Sequence, residues 1–386
     1  MRFLVSSLLS KIMSSESPLP ITFAKPILPS LLGLTKDDIV EIFKQHDEPA
    51  YRAAQVLEWI YRHRANSIEE MTNLSEPLRE KLNQQFRFKT LTNVTIQGSE
   101  DTTRKYLFKL HDGRYVETVL IPASKGLYGD KADRLTACVS SQVGCAYGCK
   151  FCASGLAGLA RNLTADEIVG QLMAVEELSG KKINNIVFMG MGEPLANIKN
   201  LEKSLDIITG HWGMNIGARH ITISTSGLAP MIKKLADRPQ QIRLAISLHG
   251  ATDEVRDKIM PVNAKWNIDE LFQALHYYKD KSNKRLTLEY ILIKGVNDSI
   301  DQARILAKRA RSVKALVNVI PYNTVEGLDW ERPDDEHCYL FRNTVRDAGV
   351  VTTMRIEKGH DIDAACGQLR LKQETSEGII EAPIKI

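Results

Sequence analysis

Four of the six cysteines of this chain lie in one stretch, CVSSQVGCAYGCKFC, at residues 138–152. The last three, Cys145, Cys149 and Cys152, follow a C-x3-C-x2-C pattern. Three thiolates at this spacing can bind three irons of a cubane cluster and leave the fourth iron open. Zinc is an alternative, since four nearby cysteines could close a zinc site, although a second C-x2-C knuckle is missing. From the spacing alone, an iron–sulfur cluster, zinc and unmodified thiols all stay open.

This stretch directly follows the first strand of a long alternation of strands and helices, which decides the fold. The strands are apolar runs, and the segments between them have the spacing of amphipathic helices. Strands are predicted at 136–140, 185–189, 220–224, 243–248, 287–293, 316–320 and 351–356. Helices are predicted at 164–179, 198–209, 229–236, 268–279, 299–311 and 336–347. We therefore predict an α/β fold whose core, at 131–359, is a partial (β/α)6 TIM-like barrel.

Outside this core the sequence pattern changes several times. Residues 31–95 carry apolar side chains at helical spacing and are predicted to form a small N-terminal helical accessory domain. Residues 96–130 contain strand patterns and are predicted to form a short β extension and a linker. Residues 1–30 have a linker-like composition and are predicted to be a flexible leader. Residues 360–386 form a separate C-terminal segment.

The composition is that of a globular chain. It has 386 residues, 43% of them hydrophobic and 25% charged, and its formal net charge is +4. These values exclude a collagen, a coiled-coil rod and a mostly disordered chain. Six cysteines are too few for a disulfide scaffold. No run of about 18 apolar residues is present to span a membrane. The charge balance neither requires nor excludes a nucleic acid. We predict a cytoplasmic protein without a membrane partner.

A second motif ends the strand that follows the cysteine stretch, in the sequence VFMGMGEP at 187–194. Gly192 lets the backbone approach a ligand, and the carboxylate of Glu193 can accept hydrogen bonds from an ammonium group. Taken alone, Gly-Glu-Pro is more often a simple turn. Because chemistry in such barrels is located at the carboxyl ends of the strands, this motif is expected near the cysteines.

Together the two motifs resemble the radical S-adenosylmethionine (SAM) superfamily, in which an aromatic residue precedes the last cysteine, as Phe151 does here. The resemblance implies a radical SAM barrel in which Cys145, Cys149 and Cys152 hold a [4Fe-4S] cluster. In this superfamily the open iron chelates SAM, and an electron from the cluster cleaves SAM to a 5′-deoxyadenosyl radical. Glu193, with the glycine before it, matches the superfamily motif for the SAM amino group.

The sequence resembles one family within this superfamily more closely. Cys138 lies ahead of the cluster cysteines, and Cys366 lies in the sequence GHDIDAACGQL at 359–369. Both features are similar to those of the RlmN family, whose members methylate C2 of an adenine. The resemblance implies two substrates, an adenine in the peptidyl-transferase region of 23S rRNA and the adenine 3′ of the anticodon in tRNA. The likeness runs from residue 31 to about residue 370 and does not cover the leader.

The resemblance implies a mechanism that uses two cysteines. One SAM methylates Cys366, and a second SAM supplies the radical that removes a hydrogen from this methyl group. The carbon then adds to the adenine, Glu117 accepts a proton, and Cys138 releases the product by forming a transient disulfide. The residues that match SAM contacts are Gly192, Glu193, Ser224, Ser247, Leu248, His249 and Asn323. Cys338 matches no motif and is predicted to be a buried structural thiol.

Two alternative functions are compatible with these motifs. Cfr-type enzymes use the same cysteines to methylate adenine C8, although Pro194 favours the C2 enzymes. A non-catalytic iron–sulfur or zinc protein that binds RNA is the second alternative, but it leaves Cys366 without a purpose. The RlmN resemblance also implies that the helical domain binds RNA, that a flavodoxin-type donor reduces the cluster, and that the chain is a monomer.

Overall fold

The computed structural model describes residues 28–100, 102–123, 134–281, 285–323, 328–355 and 366–381. Its strands, in chain order, are β1 (Thr92–Gly98), β2 (Arg104–Lys109), β3 (Tyr115–Pro122), β4 (Leu135–Cys138), β5 (Gln142–Gly144), β6 (Leu159–Asn162), β7 (Asn185–Phe188), β8 (Ile221–Thr225), β9 (Arg243–Ser247), β10 (Leu286–Leu292), β11 (Leu316–Pro321) and β12 (Thr352–Met354). All seven predicted barrel strands are present among them.

One sheet of ten strands dominates the described part of the chain, in the order β1-β2-β3-β4-β7-β8-β9-β10-β11-β12. From β4 to β12 each strand pairs in parallel with the next one. Parallel neighbours need crossover connections, and helices supply them here. The outer strands β1 and β12 pair with only one neighbour each within the described residues, so the barrel is open. The predicted α/β fold with a partial barrel is confirmed.

The helices lie at Lys36–Gln45, Tyr51–Tyr61, Glu76–Gln85, Ala153–Leu156, Ala165–Ser179, Ile198–Thr209, Ala229–Ala236, Asp253–Ile259, Ile268–Lys281, Ile300–Ser312, Asp335–Asp347 and Gln368–Ser376. Local sequence fixes several of their starts. Thr164 and Glu167 form the predicted capping box, with the Thr164 N–H donating to the Glu167 carboxylate at 3.0 Å. The helices Ile198–Thr209 and Ala229–Ala236 have the predicted bounds, because their apolar faces pack onto the sheet.

The N-terminal helices and the antiparallel strands are built onto the barrel. Strands β1, β2 and β3 pair antiparallel and join the parallel strands through β4. Strand β1 crosses the predicted domain boundary at 95/96, and a bulge between Asn93 and Thr95 interrupts its pairing. Buried side chains of the N-terminal helices, such as Phe43 and Leu57, belong to the same apolar core as the barrel.

Some short strands and helices were not predicted from the sequence. Strands β5 and β6 form a separate two-stranded sheet around the cysteine loop, and the helix Asp253–Ile259 follows β9. Within the described ranges, no helix has the length and apolar character needed to cross a membrane. The predicted leader up to residue 27, most of the linker, the end of the last barrel strand and residues 356–365 and 382–386 lie outside the described residues.

Candidate active site

A cavity of about 310 Å³ opens at the carboxyl ends of the parallel strands. Ten residues singled out in the sequence line it: Cys145, Cys149, Cys152, Gly192, Glu193, Ser224, Ser247, His249, Asn323 and Cys366. They converge because the loops after parallel strands meet at one edge of the sheet. Three other singled-out residues, Cys138, Glu117 and Leu248, do not line this cavity.

The loop with the three clustered cysteines is fixed by main-chain hydrogen bonds. Cys145 N donates to Gly158 O at 3.0 Å and thereby closes the β5–β6 hairpin. Lys150 N donates to Ile259 O at 2.9 Å. The indole of Trp330 donates to Lys150 O at 3.0 Å. The loop is therefore tied to its own hairpin and to two other connections of the barrel.

The three thiols of this loop are partly buried and lie close enough to raise one another's pKa. Burial raises the pKa of Cys145 to about 12 and also raises the pKa values of Cys149 and Cys152. Charge on the neighbouring thiols adds to this effect at Cys145 and Cys149. A positively charged centre would relieve such repulsion by holding the thiols as thiolates, so this donor set fits an iron–sulfur cluster.

The arrangement differs from that of a site for one ion. Among the described residues, no three His, Cys, Asp or Glu side chains are arranged to hold a single metal ion. A cubane cluster requires a different arrangement of thiols, because each thiolate binds a different iron. Cys145, Cys149 and Cys152 could hold three irons of such a cluster, and all three line the cavity.

Glu193 is a buried carboxylate in the wall of the same cavity. One of its oxygens accepts the N–H of Leu195 at 3.0 Å. The other accepts the main-chain N–H and the hydroxyl of Ser226, at 2.7 and 2.8 Å. Burial raises the pKa of this carboxyl. Donors from the loops after β7 and β8 thus fix its orientation, and it can accept further hydrogen bonds from a ligand ammonium.

Two glycines before Glu193 let β7 end close to the cysteine stretch. A Cβ at Gly190 would lie 2.7 Å from Val139 O. A Cβ at Gly192 would lie 2.5 Å from Gln142 Cβ, and the residue has a φ of +95°. Larger side chains would collide at both positions, so the glycines are needed for this approach.

Ser224 and Ser247 lie at the carboxyl ends of the neighbouring strands β8 and β9, and His249 follows β9. The hydroxyl oxygens of Ser224 and Ser247 are 3.4 Å apart. His249 Nδ1 accepts the N–H of Ile291 at 3.0 Å, and its ring meets Phe151 edge-on with centroids 4.9 Å apart. Burial lowers the pKa of His249 to about 3. His249 therefore lines the cavity as a neutral imidazole whose proton is on Nε2.

Leu248 has a different place from its two neighbours. Its side chain is fully buried in the main apolar core, so only its main chain is available near the site. The carbonyl of Leu248 accepts a hydrogen bond from Arg256 Nε at 3.0 Å. Arg256 is fully buried and also donates to Ser226 O and to Asn263 Oδ1, which joins the loops after β8 and β9. No sequence signal marked Arg256, because its burial depends on tertiary packing.

Sequence analysis also missed two charged residues of the cavity wall, Glu289 and Arg355. Glu289 is buried in β10, and its Oε2 accepts from Asn318 Nδ2 at 2.7 Å. Burial raises the pKa of Glu289. The sequence could have indicated Glu289, because it interrupts the apolar run LTLEYILI. An ionisable residue in a buried parallel strand needs a partner or a function.

Cys366 and Cys138 form a pair of free thiols at the edge of the cavity. Cys138 ends β4 and is buried, whereas Cys366 lines the cavity from the C-terminal segment. Cys366 Sγ lies 3.5 Å from Met189 O. A hydrogen bond from Cys138 lowers the pKa of Cys366, and the same bond raises that of Cys138. Cys366 is thus the thiol that ionises first.

Glu117 lies behind Cys366, in β3, and is buried. Its carboxylate accepts the main-chain N–H groups of Gly367 at 2.9 Å and of Arg370 at 2.7 Å. Lys105 Nζ lies 2.9 Å from the same carboxylate. In this arrangement Glu117 contacts the C-terminal segment rather than the cavity. Cys338, by contrast, is buried in the main core, in agreement with its predicted structural role.

Two family models match the chain. The model described as the radical SAM superfamily matches residues 139–304, which hold the cysteine loop and most of the parallel strands. The model described as the ribosomal RNA large subunit methyltransferase N-terminal domain matches residues 30–87, which hold the first three helices.

Similar proteins extend over nearly the whole chain. A probable dual-specificity RNA methyltransferase RlmN of Akkermansia muciniphila is 55% identical over 349 residues, which cover 90% of this chain and 97% of that protein. A protein of Bacillus subtilis with the same name is 44% identical over 352 residues, covering 90% and 95% of the two chains. A crystal structure of a radical SAM methyltransferase from Sphaerobacter thermophilus matches with a TM-score of 0.83 and 41% identity, covering 88% and 98%.

Proposed function

The chain belongs to the RlmN family of radical SAM methyltransferases, and on that premise we propose that it methylates C2 of an adenine in RNA. The proposed substrates are the adenine in the peptidyl-transferase region of 23S rRNA and the adenine 3′ of the anticodon in tRNA. One observation carries the proposal. The free thiols of Cys138 and Cys366 lie close enough to shift each other's pKa in opposite directions, and Cys366 lines the cavity that holds the three clustered cysteines.

In this proposal Cys145, Cys149 and Cys152 hold the cluster, and the carboxylate of Glu193 accepts hydrogen bonds from the SAM amino group. The bound cluster and SAM supply a radical that can remove hydrogen from an unactivated methyl group. Ser224, Ser247, His249, Asn323 and the main chain of Leu248 orient SAM. Neutral His249 contributes a donor without adding positive charge, because burial disfavours its protonation.

Cys366 is the proposed methyl carrier. Its thiolate attacks the methyl carbon of one SAM, the bond from this carbon to the SAM sulfur breaks, and S-adenosylhomocysteine leaves, so the Cys366 sulfur becomes a methyl thioether. After loss of one hydrogen atom, the carbon of this thioether bonds to adenine C2. The adduct then loses the C2 proton and one electron, which the bound cluster would accept. The lowered pKa of Cys366 supports the first step, since the thiolate is the nucleophile.

Cys138 is the proposed resolving thiol. Its thiolate attacks the sulfur of Cys366, a disulfide forms, and the bond from that sulfur to the nucleotide carbon breaks. The electron pair of the broken bond stays on the carbon, which takes up a proton and becomes the new methyl group. Glu117, the proposed acceptor of the adenine C2 proton, can take this role only after it exchanges the N–H of Gly367 or Arg370 for the substrate.

Mass analysis of the Cys366 peptide after anaerobic purification tests the proposal. We expect one added methyl group on Cys366 and none on Cys338, which serves as the internal control. Nucleoside analysis of RNA treated with the holoenzyme should then give 2-methyladenosine. An unmethylated Cys366 after incubation with SAM would contradict the carrier role, and 8-methyladenosine would establish the Cfr-type alternative instead.

Other proposed features concern partners and location. We propose that the helical domain binds RNA, since residues 30–87 match a domain named for ribosomal RNA methyltransferases. A flavodoxin-type electron donor, a monomeric state and a cytoplasmic location stay predictions. Reduction of the cluster by purified flavodoxin and light scattering of the holoenzyme would test the first two.

A further inference from the structure

The segment that carries Cys366 is fastened to the antiparallel strands largely by polar contacts. Its apolar side chain Leu369 packs with Leu107 and Tyr115 in a small cluster apart from the main core. Leu371 of the same segment belongs to the main core, and Ser154 Oγ donates to Cys366 O at 2.9 Å. Glu374 Oε1 accepts the N–H of Tyr115 at 3.1 Å. Arg370 and Glu374 form a fully buried ion pair at 2.7 Å, although its angles are poor for a hydrogen bond.

Glu117 is the centre of this contact. Helices begin with main-chain N–H groups that have no partner inside the helix, and these groups attract a carboxylate. Glu117 satisfies two of them for the helix Gln368–Ser376, the N–H groups of Gly367 and Arg370. A side chain on β3 therefore caps a helix that is distant in the sequence, and it does so immediately after Cys366.

Lys105 supports Glu117 from the neighbouring strand. Lys105 stands opposite Val119 and Leu107 opposite Glu117 in the antiparallel pair, so these side chains share one face of the sheet. Lys105 is 1% exposed and Glu117 is 3% exposed, and their charged groups are 2.9 Å apart. Burying an ion pair costs so much desolvation energy that apolar residues often stabilise a fold equally well. A role in placing Cys366 explains the charged pair better than stability does.

We propose that Lys105 and Glu117 are positioning residues, which hold the start of the C-terminal helix so that the sulfur of Cys366 lies against that of Cys138. Lys105 balances the negative charge that Glu117 needs in order to accept both N–H groups. This inference rests on the proposed function for what the two thiols do. The placement of the two thiols by Lys105 and Glu117 does not depend on the proposed function.

The test uses cluster-free protein reconstituted anaerobically with iron and sulfide in the absence of SAM, so that Cys366 is an unmethylated thiol. It measures how fast Cys138 and Cys366 form a disulfide. Oxidised glutathione is the probe: two thiols are oxidised to one disulfide, and one oxidised glutathione is reduced to two thiols. Peptide mass analysis follows the product, with Cys338 as the internal control. Variants Lys105→Met and Glu117→Gln are compared with the wild type.

Lys109→Met and Glu377→Gln are matched controls. Lys109 lies two positions from Lys105 on the same face of β2, and its ammonium is 4.0 Å from the Glu377 carboxylate. Both of these side chains are partly exposed, at 44% and 34%. The controls therefore remove the same charges from the same surface without touching the contacts of Gly367 and Arg370.

We expect the disulfide to form about 10- to 100-fold more slowly in Lys105→Met and Glu117→Gln, because a misplacement of about 1 Å has an effect of this size on a reaction between positioned groups. The iron content should stay at the wild-type value, since the main-chain bonds that hold the cysteine loop do not involve Lys105 or Glu117. The controls should react at the wild-type rate. Disulfide formation at the wild-type rate in Lys105→Met or Glu117→Gln would overturn the proposal.

The double variant Lys105→Met/Glu117→Gln covers the case in which a single variant does not fold, because it leaves no unpaired buried charge. Slow disulfide formation in this variant supports the proposal, and the wild-type rate overturns it. The proposed function fails separately: it fails if wild-type Cys366 carries no methyl group, whatever the rates of the variants.

Discussion

The loop of Cys145, Cys149 and Cys152 and the segment of Cys366 meet at one cavity but are held in different ways. The loop is tied by main-chain bonds within its hairpin and to other barrel connections. The Cys366 segment is tied by the carboxylate of Glu117, by the hydroxyl of Ser154 and by the apolar side chains of its helix. A group that holds a resident cluster benefits from a rigid frame. A group that accepts a methyl, carries it to a nucleotide and is then released benefits from contacts that can be exchanged.

The largest expected difference between the two regions concerns iron. Cys149→Ala should abolish both iron binding and methylation, because the cluster loses one of its three thiolates. Cys366→Ala should abolish methylation while keeping the wild-type iron content and SAM cleavage. Iron analysis and the amount of 5′-deoxyadenosine formed measure the two effects. Loss of iron from Cys366→Ala would show that the regions are not independent.

A second change separates the two thiols of the pair. Cys138→Ala should stop product release and leave the enzyme joined covalently to RNA through Cys366, because no second thiol can break the thioether bond. Denaturing gel electrophoresis with labelled RNA would reveal the adduct. Cys338→Ala is the matched control and should form none. Methylation that stops without an adduct would contradict the resolving role of Cys138.

A third prediction concerns His249 in the wall of the cavity and the pH dependence of the free energy of unfolding. The folded pKa of His249 is about 3, below its usual value, so the unfolded state binds more protons as the pH falls below about 6.5. Unfolding should therefore become easier toward acid, by up to about 1.4 kcal/mol per pH unit from this group. His249→Asn keeps an acceptor for the Ile291 N–H and suits the φ of +56°, but it does not titrate.

The measurement is urea unfolding of the wild type and of His249→Asn at pH 7, 6 and 5. We expect the free energy of unfolding of the wild type to fall more steeply than that of the variant below pH 6.5. Parallel curves would mean that His249 is not held neutral in the folded state.

The smallest expected effect is that of a cysteine outside both regions. Cys338 is fully buried in the main core, and its Sγ lies 3.7 Å from Pro333 O. Cys338→Ala should lower the free energy of unfolding by about 1 kcal/mol through the lost packing and leave methylation unchanged. Urea unfolding and nucleoside analysis measure both. A loss of methylation would give Cys338 a role that its position does not indicate.

The barrel could be predicted from the sequence because its strands and helices have strong local patterns. Every predicted barrel strand and connecting helix is present within a few residues of its expected bounds. The short strands β5 and β6 and the helix Asp253–Ile259 could not be found this way, since elements of this length show little periodicity. Their places depend on hydrogen bonds to distant parts of the chain.

The candidate site, like the fold, could be predicted only where its residues lie in a local sequence motif. The cysteine loop and Glu193 lie in short motifs whose spacing already indicates a ligand. The contact between Cys138 and Cys366 depends on the packing of the C-terminal helix, which no local pattern encodes, and only the family resemblance anticipated it. Lys105, Arg256 and Glu289 were not anticipated, because a charged residue in a sequence is ordinarily assigned to the surface.

The antiparallel strands that carry Lys105 and Glu117 also change where the large sheet is open. Because β3 pairs with β4, one edge of the parallel strands is covered, and among the described residues the free edges of the sheet lie at β1 and β12. Strand β1 has a bulge between Asn93 and Thr95, and β12 has only three residues. A bulged edge and a very short edge are poor templates for pairing with another chain. The extension that holds Cys366 therefore also replaces the β4 edge of the barrel by a bulged edge, which disfavours pairing with another chain on that side.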